Sequence, residues 1–193
     1  AARGARAVRR TQRRIRAAKR AWLERVWLER VWLELWRHTS TVKRIAYIGL
    51  GSNQGDVVEA LNSAIESLRS IEQTEFVAVS PYYRSAPIDA TGPDYLNAVV
   101  KVETSLEPYA LLLHLLDIEL MLGRKRRGLK KNAPRNVDLD LLLLGDMIIQ
   151  STPLTLPHPR LHLRAFVLRP LLDLDPGIRI PGQGPASAFL ESV

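Results

Sequence analysis

Two aspartates stand at the start of the most apolar run in the chain. Asp138 and Asp140 lead into residues 141–144, four leucines in succession that end at Gly145. An apolar run closed by a turn predicts a buried strand. Residues two apart in a strand share a face and lie roughly 6.5–7 Å from each other. The two carboxylates should therefore point the same way, and they could hold two Mg²⁺ ions about 3.5–4 Å apart.

A cation stands just upstream of this pair. Arg135 is three residues before Asp138, where its guanidinium could contact a phosphate bound to the metal ions. An alternative interpretation is that the two acids merely mark the point where a strand emerges into water. Uncompensated carboxylates beside such an apolar run would be costly, which favours the metal site.

The surrounding sequence predicts the elements that must position these side chains. The predicted strands are residues 45–50, 75–83, 95–103, 137–144, 147–149 and 178–180. One helix follows Asp56, its predicted N-cap, and a second runs from Pro108 to a stop at Gly123. A shorter helical piece covers residues 161–172. Because only two long helices interrupt strands joined by short loops, the order favours an α+β fold with a largely antiparallel layered sheet.

Two loops carry weaker phosphate-binding signals. Residues 124–131 hold six basic side chains in eight positions directly before the aspartates. Such a run is usually a solvated face, but its place in a glycine-containing loop also fits a mobile lid that grips phosphate. The Gly51-Ser52-Asn53 sequence could be a phosphate loop. It lacks the Gly-Lys-Ser/Thr of a P-loop, and a turn before a helix cap explains it as well.

The positive charge of the chain belongs to its N-terminal part. Residues 1–44 carry 14 Lys/Arg against 3 acids, whereas residues 45–193 carry 14 against 17. Trp22, Trp27 and Trp32 recur at a spacing of five, so on a helix each would lie about 140° from the last, which argues against a partner-binding seam. We predict that residues 1–42 are a basic, Trp/Arg-rich leader outside the fold and that residues 43–193 form the domain.

Three interpretations of that leader remain open. It could be a translated tandem repeat upstream of the true start, because the chain begins with Ala and has no Met before Met121. It could be an import signal, because it is rich in Arg and its first acid is Glu24. It could also be a nucleic-acid-binding arm.

The overall composition excludes several classes of protein. The chain is 46% hydrophobic and 25% charged, as is usual for a globular protein, and it has no cysteine for disulfides or thiolate metal sites. No apolar run reaches the roughly 18–20 residues of a membrane span. We therefore expect no membrane association and a cytoplasmic location.

Several segments together resemble the 6-hydroxymethyl-7,8-dihydropterin pyrophosphokinase family of folate biosynthesis. Each motif alone is modest, but their order along the chain matches that of the family. The matching segments are residues 47–53, 80–87, 93–98, Glu119 with residues 123–124, and residues 134–140, 156–159 and 164–168. The resemblance implies a three-layer α+β sandwich with a mainly antiparallel, ferredoxin-like central sheet.

The resemblance also implies a reaction and its metal site. The family transfers the β,γ-diphosphate of ATP to the hydroxymethyl group of the pterin and releases AMP. Asp138 and Asp140 match the ligands of two Mg²⁺ ions. Arg124 and Arg135 match the catalytic arginines that steady the transferring phosphates.

The same resemblance assigns the two substrate sites. The pterin ring would lie between Tyr95 and Phe166, with Asn97 reading its edge. Further pterin contacts are expected from Ser85, Ala86 and Ile88. The implied ATP contacts are Glu119, Arg126, Arg135, His158 and Arg164. Asn132 stands where many members carry a Trp, so one hydrophobic cover over the pterin is missing. Pro159 replaces the aromatic residue that often follows the family's histidine.

Two rival functions remain. A nucleic-acid-binding protein would need cations and aromatic residues on one surface, but residues 45–193 are net acidic. An inactive homologue that serves as a binding module is disfavoured, because both aspartates and Arg135 are present. We predict a monomeric, Mg²⁺-dependent enzyme that acts on small molecules and not on nucleic acid.

Overall fold

The computed structural model describes residues 39–87, 92–123 and 137–193. The predicted leader up to residue 38, the predicted lid at residues 124–131 and the candidates Ile88, Arg124, Arg126 and Arg135 lie outside these ranges. The elements in chain order are β1 (Thr39–Ser52), α1 (Val57–Arg69), β2 (Thr74–Val79), β3 (Tyr83–Ser85), β4 (Tyr95–Leu106), α2 (Pro108–Met121), β5 (Asp138–Leu144), β6 (Ile149–Gln150), β7 (Thr155–Leu156), a 3₁₀ turn (Leu161–Leu163), α3 (Ala165–Leu174), β8 (Arg179–Ile180), β9 (Gly184–Pro185) and α4 (Ser187–Leu190).

An antiparallel sheet of five strands forms the centre of the fold. Its strands follow the order β2-β4-β1-β5, and β3 also pairs with β4. Each of these pairings is antiparallel. The predicted α+β class with a mainly antiparallel sheet is confirmed. Among the described strands β5 pairs with β1 alone, so β5 forms one edge of this sheet.

Alternate residues of β1 enter two separate cores. Ile48 packs in one cluster with Leu61 of α1 and Leu111 of α2. Its neighbour Tyr47 packs in the other cluster with Leu168 of α3. Because successive side chains of a strand point to opposite faces, α1 and α2 contribute to the core on one face of the sheet and α3 to the core on the other.

The ends of the two long helices agree with their sequence signals. The Asp56 side chain accepts a hydrogen bond of 3.0 Å from the backbone N–H of Glu59, so it caps α1 as predicted. Pro108 occupies the first turn of α2, where a missing N–H costs nothing. Gly123 follows this helix with a φ of 91°, a conformation that glycine adopts readily.

Strand β1 is longer than the predicted strand at residues 45–50. It starts at Thr39 and continues through Gly51 and Ser52, for which the sequence allowed a phosphate loop or a turn. These two residues pair with Asn97 and Leu96 of β4, and the pairing keeps them in the sheet. The predicted start of the domain at residue 43 lies within β1, and the separate nature of the leader stays a prediction.

Two other predicted elements are interrupted. The strand predicted at residues 75–83 is divided into β2 and β3. Pro81, between them, has no N–H to donate to a neighbouring strand. Next to it, the backbone N–H of Val99 donates to the side-chain hydroxyl of Ser80 at 3.0 Å. The helical piece predicted at residues 161–172 is divided at Arg164, whose backbone is extended. Within the described ranges no helix is long and apolar enough to cross a membrane.

Candidate active site

A cleft of about 440 Å³ opens beside the edge strand β5. This volume lies in the range of roughly 300–1,000 Å³ that is usual for ligand pockets. The cleft brings together all the candidate side chains that lie in the described ranges. These are Ser85, Ala86, Tyr95, Asn97, Glu119, Asp138, Asp140, His158, Arg164 and Phe166.

The two aspartates lie on one face of β5, as predicted from their spacing. Both line the cleft and are half-buried, whereas Leu139 between them is buried in the core on the other face. Across the sheet Asp138 is opposite Gly51, and Asp140 is opposite Gly49. Gly51 has no side chain and leaves space beside Asp138, whereas the Leu142 side chain packs against Gly49, 3.4 Å from where a Cβ atom would be.

Asp140 has two basic neighbours. Nε2 of His158 and a guanidinium nitrogen of Arg164 each lie 3.9 Å from Oδ2 of Asp140. Both distances are longer than a direct hydrogen bond. The Asp140 side chain is 40% exposed, so its carboxylate remains available to a bound molecule.

The environment of His158 keeps its imidazole neutral. Burial lowers the pKa of His158 below its ordinary value of 6.5, the carboxylate of Asp140 opposes this shift, and Arg164 reinforces it. The backbone N–H of Arg160 donates to Nδ1 of His158 at 3.3 Å. An accepting Nδ1 places the proton of the neutral ring on Nε2, the nitrogen nearer to Asp140.

Asn97 of β4, two strands away from Asp138, forms a polar pair with Ser85 of β3. The amide nitrogen of Asn97 donates to the Ser85 hydroxyl at 2.9 Å and to the carbonyl of Tyr83 at 3.2 Å. Both donor hydrogens of Asn97 are thereby used. Its carbonyl oxygen lies toward Gly51, where a Cβ atom would be only 3.4 Å from it. Asn97 is buried and offers the cleft an acceptor.

The two candidate aromatic residues come from different parts of the fold. Tyr95 begins β4, and Phe166 lies in the first turn of α3. The helical piece predicted at residues 161–172 would have placed Arg164 and Phe166 on one helix. Instead Arg164 precedes α3 with extended backbone, and its guanidinium carbon lies 5.5 Å from the centre of the Phe166 ring. Both side chains therefore line the same cleft.

Sequence reasoning missed part of the cleft wall. Gly49 and Gly51 of β1 line it as part of a strand, whereas the sequence allowed Gly51 either a phosphate loop or a turn. Pro153, Leu154 and Thr155, which precede and enter β7, line another side. No motif in the sequence singles these three residues out. Their only signal is that they stand shortly before His158 in the chain.

Comparison with known proteins gives this cleft a context. The family model for 7,8-dihydro-6-hydroxymethylpterin-pyrophosphokinase (HPPK) matches residues 47–176. The 2-amino-4-hydroxy-6-hydroxymethyldihydropteridine pyrophosphokinase of Haemophilus influenzae is 42% identical over 137 residues, which cover 70% of this chain and 84% of that protein. Folic acid synthesis protein fol1 of Schizosaccharomyces pombe is 41% identical over 148 residues, which cover 76% of this chain and 20% of that protein.

Solved structures show the same fold. A crystal structure of Plasmodium falciparum HPPK-DHPS, wild type with pteroate, superimposes with a TM-score of 0.63 at 13% identity. The match covers 78% of this chain and 44% of that chain, so this protein spans less than half of the Plasmodium polypeptide. At such low identity the likeness concerns the fold alone. The family model covers the site as well as the fold: its match to residues 47–176 contains every candidate site residue that lines the cleft. The chain belongs to the 7,8-dihydro-6-hydroxymethylpterin-pyrophosphokinase family.

Proposed function

We propose that this protein transfers the β,γ-diphosphate of ATP to the hydroxymethyl group of 6-hydroxymethyl-7,8-dihydropterin and releases AMP, as a step of folate biosynthesis. Family membership supports the reaction class. The observation that carries the assignment to the cleft is the shared face of Asp138 and Asp140, which border the same space as Asn97 and Phe166. That space could hold a phosphate chain at one end and a flat ring at the other.

The proposed reaction is a displacement at phosphorus. The hydroxyl oxygen of the pterin forms a bond to the β-phosphorus of ATP, and the bond from that phosphorus to the oxygen bridging it to the α-phosphorus breaks. AMP leaves with the bridging oxygen, and the hydroxyl proton passes to solvent. Such transfers depend on positioning and charge neutralisation more than on a strong base. We therefore assign no general base.

Asp138 and Asp140 fit the role of Mg²⁺ ligands. Both are carboxylates on one face of β5, and no side chain stands opposite them on β1. The described residues contain no cluster of three or more His, Cys, Asp or Glu that could hold a metal. Phosphate and water oxygens would complete the coordination, as is usual for Mg²⁺. Two bound ions would neutralise charge on the phosphates of ATP.

The two basic residues near Asp140 differ in charge. Because the pKa of His158 is lowered, we assign it a hydrogen bond to the nucleotide as a neutral imidazole. Arg164 supplies the positive charge near Asp140. Arg124, Arg126 and Arg135 lie outside the described residues, and we assign them to the phosphates from the sequence alone.

The pterin end of the cleft would hold a flat, polar ring. We assign stacking to Tyr95 and Phe166, and edge contacts to Ser85, Ala86 and Asn97. The free acceptor of Asn97 suits an N–H group on the ring edge, because both of its donor hydrogens are already used. Ile88, outside the described residues, is assigned to this end from the sequence.

The decisive experiment measures which nucleotide is released. The full chain is incubated with ATP, Mg²⁺ and the reduced hydroxymethylpterin, and the products are separated by chromatography. We expect AMP in amounts equal to the pyrophosphorylated pterin, and none without the pterin. A preparation of Asp140→Asn made in the same way controls for contaminating ATPases. Release of ADP, or of AMP without pterin, would contradict the proposal.

A further inference from the structure

The outer edge of β5 needs hydrogen-bond partners that the sheet does not supply. Among the described strands β5 pairs only with β1. An edge strand leaves alternate N–H and C=O groups without a strand partner. On β5 one of these groups is the N–H of Leu139, which stands between the two aspartates. Leu139 is 3% exposed, so water does not readily reach this edge.

A carboxylate from another element meets that N–H. Oε1 of Glu119, on α2, accepts it at 2.8 Å. Bonds from a backbone N–H to a charged carboxylate are stronger than those between neutral groups. The contact joins residues 20 positions apart in sequence and ties α2 to the centre of the Asp138–Asp140 segment.

The burial of Glu119 limits what else it can contact. Its relative exposure is 0%, although it borders the cleft. A carboxylate in such a place is tolerated when hydrogen bonds compensate the lost hydration. A nucleotide in the cleft would reach it only if neighbouring groups moved aside. The side chain is therefore better placed to act on β5 than on a ligand.

A second contact holds the same edge further along. The backbone N–H of His158 donates to the carbonyl of Leu142 at 2.9 Å. The Glu119 and His158 contacts lie on either side of Asp140 in the strand. Together they restrain the backbone that carries this carboxylate and its neighbour.

We propose that Glu119 is a positioning residue for the metal site: its hydrogen bond to the Leu139 N–H holds the strand so that Asp138 and Asp140 both face the cleft. The inference rests on the proposed function, because it assigns Mg²⁺ binding to this pair. It differs from the role in ATP binding that the sequence resemblance implies for Glu119. It deepens the proposal by naming a residue that acts through the backbone and not by touching substrate.

The test compares variants that keep or remove the acceptor. Glu119→Gln retains a carbonyl oxygen for the Leu139 N–H, whereas Glu119→Leu and the more adaptable Glu119→Met remove it at similar size. Leu115→Ala is the matched control, since Leu115 is fully buried one turn earlier on α2 and does not line the cleft. Folding of each variant is checked by thermal unfolding.

Three readouts separate the possible roles. Binding of Mn²⁺ is titrated by electron paramagnetic resonance with α,β-methylene ATP, which cannot transfer its diphosphate. Exchange of the Leu139 amide hydrogen is followed by NMR. Binding of a fluorescent ATP analogue is measured with all divalent metal chelated. None of these readouts requires turnover, so a failure of the proposed reaction would show separately in the AMP assay.

We expect the acceptor-free variants to bind Mn²⁺ about ten- to a hundredfold more weakly, the size typical of lost support behind a metal ligand. Their Leu139 amide should exchange faster, while Glu119→Gln remains close to wild type in both measurements. Leu115→Ala loses core packing, so only its Mn²⁺ affinity should stay close to wild type. Metal-free nucleotide binding should be unchanged throughout. Unchanged Mn²⁺ affinity in both acceptor-free variants would overturn the proposal. So would weaker metal-free nucleotide binding in them and in Glu119→Gln, which would indicate direct contact with ATP.

Discussion

At the level of single residues, the space around the aspartates depends on what stands opposite them. Gly51 lies between Asp138 on β5 and Asn97 on β4, directly paired with both. A side chain at this position would meet the carbonyl oxygen of Asn97 at 3.4 Å and would cover the floor of the cleft. The carboxylates and the amide can therefore face one ligand because the residue between them is glycine.

The first prediction concerns the aspartate pair. Asp138→Asn and Asp140→Asn should each lower kcat by about a hundredfold or more, since a direct metal ligand should matter at least as much as its supporting residues. AMP release is measured over a range of Mg²⁺ concentrations. Asp146→Asn, an exposed carboxylate in the turn after β5, is the matched control and should behave like wild type. Normal turnover of either variant at limiting Mg²⁺ would show that the metal assignment is wrong.

The second prediction concerns the aromatic pair. Phe166→Ala and Tyr95→Ala should each weaken pterin binding by about 1–3 kcal/mol if the stacking energies of nucleobases apply to a pterin. Binding is measured by isothermal titration calorimetry. Phe189→Ala is the control, because Phe189 packs against His162 and does not line the cleft. If the affinity for pterin were unchanged in both cleft variants, the proposed stacking of the ring between Tyr95 and Phe166 would be wrong.

At the level of elements, the site is assembled where strands β1, β4 and β5 lie side by side. The edge position of β5 exposes one line of backbone groups, and α2 and the segment before α3 supply their partners. The same helix α2 packs in the core through Leu111 and Leu115. Helix α2 therefore both packs in the core and supplies the Glu119 contact to the strand that carries the aspartates.

The third prediction tests the cap of α1. Asp56→Ala should lower the free energy of unfolding by about 1 kcal/mol, because the Glu59 N–H loses its acceptor. Urea unfolding followed by circular dichroism measures this change. Glu66→Ala removes an equal charge from the same helix but only a surface ion pair with Arg69, so it should change stability by less than about 0.5 kcal/mol. Equal effects of the two variants would show that charge and not capping is responsible.

At the level of the whole molecule, charge separates the two parts of the chain. Residues 1–38 carry 12 Lys/Arg against 3 acids, and residues 39–193 carry 16 against 17. A domain close to neutral has little general attraction for nucleic acid, whereas the N-terminal part could neutralise several phosphates.

The fourth prediction follows from this division. Removal of residues 1–38 should leave the AMP-release rate and the unfolding midpoint nearly unchanged, since β1 begins at Thr39. The same truncation should abolish any affinity for DNA or RNA, measured by fluorescence anisotropy at two salt concentrations. If the shortened protein lost catalysis, or kept salt-dependent nucleic-acid binding, the leader could not be separated from the domain as proposed.

The sequence alone determined those features that depend on neighbours along the chain. The shared face of Asp138 and Asp140 follows from the two-residue repeat of a strand, and the Asp56 cap from the chemistry of a helix start. The antiparallel α+β class followed from the order of short strands and long helices. Most candidate residues of the cleft came from motif resemblance, and their individual roles stay predictions.

Only the tertiary structure decided which distant residues meet. Strand register placed Gly51 between Asp138 and Asn97 and kept it out of a turn. The packing of α2 brought Glu119 to the Leu139 N–H, a contact that no local pattern encodes. Such contacts escape sequence reasoning because the hydrogen-bonding needs of an edge strand are known only once its neighbours in the sheet are known.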